Sequence, residues 1–148
     1  MEFTAFERYL QVISSPGESS QVQPEEQNSD YESGIVTLGS EAWRIRTARI
    51  TPKKPGAFTA IWQRSHNGST MPFTDNDPTE GLLVFVEEAG RFGLFRFESA
   101  HLVALGILKT SRFPGKRGFR VYPSWCGGLN SQALRTQAAQ APAFRELQ

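Results

Sequence analysis

Two stretches of the chain interleave cations with aromatic rings and contain no carboxylate. Ala42 to Arg64 holds six bases and no acid, and Ser99 to Arg145 holds seven bases and no acid. In the first, Arg44 and Arg46 alternate along AWRIRTARI, Lys53 and Lys54 sit between prolines in TPKKPG, and Trp62 precedes Arg64 in AFTAIWQR. In the second, Lys116, Arg117 and Arg120 surround the PGKRG turn, and Tyr122 and Trp125 follow within a few residues. Guanidinium and ammonium groups neutralise phosphates and aromatic faces stack on bases, so this mixture suits nucleic acid. Each group also has an ordinary use: lysines solvate turns, and tryptophans beside arginines commonly belong to a core. Gln132, Arg135, Thr136 and Gln137 add donors that either reach phosphate or form a polar outer face.

Catalytic chemistry finds fewer residues. A metal-dependent nuclease needs carboxylates on adjoining strands to hold Mg²⁺ and a lysine to assist the water. No (Asp/Glu)-x-Lys occurs anywhere in the chain, and the strand around Ala60, Ile61 and Trp62 offers neither group. Glu32, Asp75, Asp77 and Glu80 are the acids that a relocated metal site would use, although TDNDPTEG is also ordinary turn chemistry. His66 and His101 are far apart, and Cys126 has no neighbouring base. Phosphate-loop and dinucleotide fingerprints are absent, and no cofactor is expected.

The totals set the frame for these groups. A chain of 148 residues with 39% hydrophobic content supports one domain with a real core, here taken as 1–148. The net charge of +1 conceals a segregation. Met1 to Glu41 has eight acids against one base, and His66 to Glu98 has six acids against two bases, so acidic and basic segments alternate. If folding joins the two basic segments they form one basic face. If it does not, each base is solvated alone or pairs with an acidic segment. No apolar run approaches the ~20 residues of a membrane span. The start MEFTAFERYL does not resemble a secretory signal, and a lone cysteine forms no internal disulfide. The expectation is a cytoplasmic protein without a membrane partner.

The elements follow from periodicity. Phe3, Phe6, Tyr9, Leu10 and Ile13 recur at three and four, which predicts an amphipathic helix over Glu2 to Ile13. SSPGESSQVQPEEQNS, residues 14–29, has little to bury and reads as a mobile loop, with a short helical turn after Pro24. Strands are predicted at 34–38, 42–50, 57–64, 82–88 and 91–98, and again at GFRVYP. LLVFV is apolar throughout and belongs in the centre of a sheet. Ala89-Gly90 is a tight hairpin turn, SAHLVALG a short helix with Ser99 as its cap, and NSQALRTQAAQA a helix capped at Asn130 or Ser131. The sum is α+β: a mixed, largely antiparallel central sheet flanked by helices.

Along the strand at 42–50, Trp43 and Ile45 point one way while Arg44 and Arg46 point the other. The alternation slips after Thr47, where a bulge is expected. Pro52 and Pro55 stiffen TPKKPG, and a stiff turn loses less entropy on binding an anion. ARITPKKPGAFTAIWQR, MPFTDND, GKRGFRVYPSW and QALRTQAAQAPAF together resemble the MepB-like family in order and spacing, over roughly Tyr31 to Phe144. Arg64, Ala138 and Ala139 depart from its usual residues. Its members are small bacterial cytoplasmic proteins named for a gene beside a multidrug efflux pump. The resemblance implies a restriction-endonuclease-like fold and nucleic-acid binding, to DNA or RNA.

Three functions are compatible with these residues. The first is a non-catalytic nucleic-acid-binding module using Arg44, Arg46, Lys53, Lys54, Arg64, Lys116, Arg117 and Arg120, with Trp62, Tyr122 or Trp125 stacking. The second is a metal-dependent hydrolase with rearranged acids. The third is an adaptor that binds another protein through the same groove.

Overall fold

The computed structural model describes residues 2–13 and 22–148. The described residues form three α-helices, eleven strands and two short 3-10 helices. The strands are β1 (Gln23–Pro24), β2 (Gly34–Leu38), β3 (Glu41–Thr47), β4 (Arg49–Ile50), β5 (Ala57–Ala60), β6 (Trp62–Arg64), β7 (Thr70–Pro72), β8 (Gly81–Glu88), β9 (Arg91–Glu98), β10 (Gly118–Val121) and β11 (Phe144–Glu146). The helices are α1 (Thr4–Val12), α2 (Ser99–Ala104) and α3 (Ser131–Gln140).

The main sheet has the order β1-β2-β3-β8-β9-β11, and only its β3–β8 pair is parallel. The mixed, largely antiparallel α+β architecture therefore matches the sequence expectation. The unbroken apolar run of β8 explains its central place, because both faces of that strand are covered. Leu82, Val84 and Val86 enter one core with Phe95, Phe97, Leu102 and Phe119. Leu83 and Phe85 enter a second core on the opposite face, with Phe6, Trp43, Ile45 and Phe92. Helix α1 and its N-cap Phe3 meet that second core through Phe3, Phe6, Tyr9 and Leu10, as the three-four spacing requires, with Ala5 also buried. The β8–β9 hairpin turns at Ala89 and Gly90, with φ of 51° and 82°, the paired left-handed conformation that a two-residue turn needs.

Two smaller sheets lie apart from the main one, with orders β10-β5-β4 and β6-β7. The expected slip after Thr47 coincides with a break in the strand at Ala48, whose N–H is donated to the Phe85 carbonyl while β4 leaves to pair with β5 in another sheet. The strand predicted over 57–64 divides at Ile61 into β5 and β6, which belong to different sheets. Helix α3 begins as expected, with Asn130 Oδ1 accepting from the Ala133 N–H at 2.8 Å. Helix α2 is capped differently: its N-cap is Glu98, and Ser99 instead donates its hydroxyl to the Glu80 carbonyl at 3.0 Å.

The loop predicted over 14–29 needs correction in its second half, while 14–21 lie outside the described residues. Val22 packs on the second core, and Gln23 and Pro24 pair with Ile35 and Gly34. Residues 22–33 then run as a strap across β3, with a 3-10 turn at Ser29–Tyr31. A polar composition misleads here because the strap is held by ionic and amide side chains, which a count of hydrophobic residues does not register.

Candidate nucleic-acid interface

The proline-lysine turn is fixed at both ends. Gly56 has φ of 77°, and a β-carbon there would lie 2.7 Å from the Val121 carbonyl oxygen and 2.7 Å from Tyr122 Cδ1. Only glycine lets β5 leave the turn this close to β10. From β10, Arg120 donates through Nη2 to Thr51 Oγ1 at 2.7 Å and through Nη1 to the Pro55 carbonyl at 3.2 Å. The second basic segment thus holds the backbone of the first. Its strand pairs antiparallel with β5, placing Gly118 opposite Ala60 and Arg120 opposite Phe58. The two acid-free segments are neighbours, the condition on which a shared basic face depends.

A groove of about 880 Å³ runs between β10, the proline-lysine turn, the end of α2 and the length of α3. Lys54, Lys116, Arg120 and Arg135 line it, from three separated parts of the chain, and Tyr122 and Phe119 supply rings. No carboxylate stands among its described lining residues. Gln140 fixes one wall. It is 2% exposed, donates to the Arg120 carbonyl at 2.8 Å and accepts from the Tyr122 N–H at 3.0 Å, so its amide imitates a strand along that part of β10. An unpaired cationic lining attracts a polyanion and repels cations.

Lys53 is exposed beside Lys54 at the tip of the turn. Trp62, Arg64 and Arg117 gather on the β6–β7 hairpin instead of in the groove. The Arg64 guanidinium carbon lies 5.1 Å from the Trp62 ring centroid, and Arg117 donates to Thr70, the residue opposite Arg64.

Arg44 and Arg46 are corrected more sharply. Their strand face is as expected, but that face is inside the protein: Arg44 is 7% exposed and Arg46 0%. Arg46 donates to Glu25 Oε1 at 2.7 Å, to Asn28 Oδ1 at 2.9 Å, and to the carbonyls of Ile45 and Ala60. Arg44 pairs with the other oxygen of Glu25 and with Asp77 at 2.6 Å, and its guanidinium lies 3.9 Å from the Phe73 ring centroid. Burial lowers the Arg46 pKa, and Glu25 opposes that shift. Neither arginine is available to a phosphate. Trp125 is also misplaced by the sequence reading. Its Nε1 donates to Glu88 at 2.8 Å, Arg91 lies over its ring, and it packs edge-on to Phe144, away from the groove.

Of the four acids that a relocated metal site would use, Glu32 and Asp77 have other partners, and Asp75 and Glu80 are fixed through their backbone N–H groups, which donate to the carbonyls of Lys109 and Ala42. Glu32 accepts from Thr4 Oγ1 at 2.8 Å, Thr47 Oγ1 at 2.9 Å and the Ala5 N–H at 3.3 Å, tying α1 to β3. Asp77 holds Arg44 and accepts from the Thr79 hydroxyl. Among the described residues no three His, Cys, Asp or Glu side chains stand close enough together to hold a metal ion. His101 Nε2 meets the Ala139 carbonyl at 2.8 Å and packs edge-on to Phe97. Burial raises the Cys126 thiol above its ordinary pKa, the wrong direction for a nucleophile.

Comparison with known proteins now bears on this geometry. The MepB-like family model matches residues 25–146, from the strap to the last strand. The chain belongs to the MepB-like family. A crystal structure of MepB superposes with a TM-score of 0.86 at 31% identity, covering 98% of this chain and 97% of that one. No curated protein matches the chain. The MepB likeness thus covers residues of the strap as well as the three sheets. Among the described residues no helix is long and apolar enough to cross a membrane.

Proposed function

We propose that this MepB-like chain is a non-catalytic nucleic-acid-binding protein of the cytoplasm. The observation that carries the reading is the groove in which Lys54, Lys116, Arg120 and Arg135 converge from three parts of the chain without a carboxylate among them. Cations left unpaired by the protein are the ones free to release counterions from a phosphate backbone. Arg44 and Arg46 supply the contrast, because their charge is already neutralised inside. We read the mixed sheet as a restriction-endonuclease-like scaffold on which Glu25, Glu32 and Asp77 serve packing. The metal-dependent alternative would draw on Glu32, Asp75, Asp77 and Glu80, of which Glu32 and Asp77 already hold α1 and Arg44.

The test is fluorescence anisotropy with labelled single-stranded RNA, single-stranded DNA and duplex DNA, at two salt concentrations, in EDTA and in Mg²⁺. Binding is expected in EDTA, weakening steeply with salt. A Lys54→Ala/Lys116→Ala double variant should reduce the slope of log K against log salt by about 1.4 to 1.8. Cleavage that appears only with Mg²⁺ would move the function to a hydrolase. Absence of binding to every probe at low salt would refute the proposal.

A further inference from the structure

The outer surface of the small β10-β5-β4 sheet contains a row that composition alone does not reveal. Register places Arg120 opposite Phe58 and Phe58 opposite Arg49, so the three side chains share one face in a line across the sheet. The other face carries Ala57, Thr59, Phe119 and Val121, all buried. In the row, Arg49 is exposed, while Phe58 and Arg120 are half-buried. The Phe58 ring extends over the neighbouring strand at Gly118, where a β-carbon would come within 2.4 Å of Phe58 Cζ. Glycine at 118 is what makes room for the ring on the sheet surface. Tyr31, half-buried at the end of the strap, stands edge-on to Phe58 with centroids 6.1 Å apart. The turn bearing Lys53 and Lys54 connects the two strands that carry Arg49 and Phe58.

We infer that this face is a base-stacking platform, with Phe58 as its central ring and Tyr31 beside it. Its occupant is a single-stranded nucleic acid, because stacking on a protein ring requires a base face that a duplex keeps covered. Charge complementarity selects this occupant. Arg49 and Arg120 flank the ring, and the turn between β4 and β5 adds Lys53 and Lys54. The three strands and the turn contain no acid, while Asp30 and Glu32 adjoin Tyr31 on the strap. Arg120 borders both the platform and the groove, so one strand can lay its backbone along the cations and a base on Phe58. This inference rests on the nucleic-acid reading and adds to it the contacting ring and the sheet face that presents it.

The experiment compares wild type, Phe58→Leu and Phe58→Trp with labelled oligo-dT, oligo-rU and a duplex of matched length. Circular dichroism melts confirm folding of each variant. Wild type should prefer the single strands. Phe58→Leu should bind them about five-fold or more weakly with the salt slope unchanged, since stacking carries no counterion term. Phe58→Trp should retain affinity and lose its added tryptophan emission when oligo-dT saturates it. Should the leucine variant not fold, that quenching decides the matter. Equal affinity of Phe58→Leu and wild type, unquenched emission in Phe58→Trp, or a preference for duplex would overturn the platform and leave a nucleic-acid protein of another kind. Failure of wild type to bind any probe would overturn the nucleic-acid reading, and the platform with it.

Discussion

Arg44 and Arg46 lie within ten residues of Lys53 and Lys54, in the same acid-free segment, and meet opposite fates. The arginines are buried and shared between Glu25 and Asp77, whereas the lysines stand on a turn in solvent. The difference lies in what crosses each position. The strap brings Glu25 from 19 residues upstream of Arg44, and the loop before β8 brings Asp77 from 33 residues downstream. Among the described residues no carboxylate pairs with the turn, and a third cation, Arg120, binds its backbone. A cationic segment therefore predicts a ligand surface only where the fold has not already supplied the anion.

The comparison breaks most forcefully at Glu25. Glu25→Gln keeps the shape but leaves two guanidiniums inside with Asp77 as their one carboxylate. We predict a loss of about 3–5 kcal/mol, since an uncompensated buried charge is the costly case. A chain of this size should then melt roughly ten degrees lower or more by circular dichroism. Lys53→Ala/Lys54→Ala should stay within about 0.5 kcal/mol of wild type. Equal melting temperatures for the two variants would mean that the strap does not neutralise the arginines.

What the sequence allowed one to see divides along the same line. Local patterns predicted the helix at the N-terminal end, the central place of β8, the Ala89-Gly90 turn and the slip after Thr47, since each depends on residues within a few positions. The strap did not declare itself, because its stabilising partners are polar and distant. Strand β11 was also missed: Phe144 to Glu146 is too short for a periodic signal and is defined by pairing with β9. At the site, alternation correctly placed Arg44 and Arg46 on one face, but it is blind to whether another segment covers that face. Trp125 was misread for the same reason, its partner Glu88 being 37 residues away. Phe58 was visible only as one apolar residue in a strand until the register set arginines on both sides of it.

Gly56 sharpens the comparison from the turn's side. Gly56→Ala forces a β-carbon into left-handed backbone and toward the Val121 carbonyl. The expected cost is about 1–3 kcal/mol, between the two cases above. Because Arg120 and Gly56 meet at the same joint, this variant should also weaken nucleic-acid binding under conditions where it remains folded. A Gly56→Ala protein with unchanged anisotropy titrations would show that the position of the turn does not matter to the ligand.

The smallest effect belongs to an ion pair of the same chemistry in the opposite setting. Arg91 grips Glu146 through two parallel bonds of 2.8 Å, holding β11 against β9 at the protein surface. The hydrogen bond from Arg91 lowers the Glu146 pKa below its ordinary 4.5. A depressed acid contributes stability that is complete above its unfolded pKa and disappears as pH falls through the folded one. The latch should therefore be intact at neutral pH and open only below about pH 4.5. Protection of the β11 amides, measured against their intrinsic exchange rates, should fall through that window more in wild type than in Glu146→Gln, which has no charge to lose. Added salt should shrink the difference, because water and ions screen an exposed pair. The same salt should barely change the loss caused by Glu25→Gln, whose guanidiniums lie beyond the reach of mobile ions. Salt sensitivity, more than charge count, separates the cations that hold this fold from those that face its surroundings.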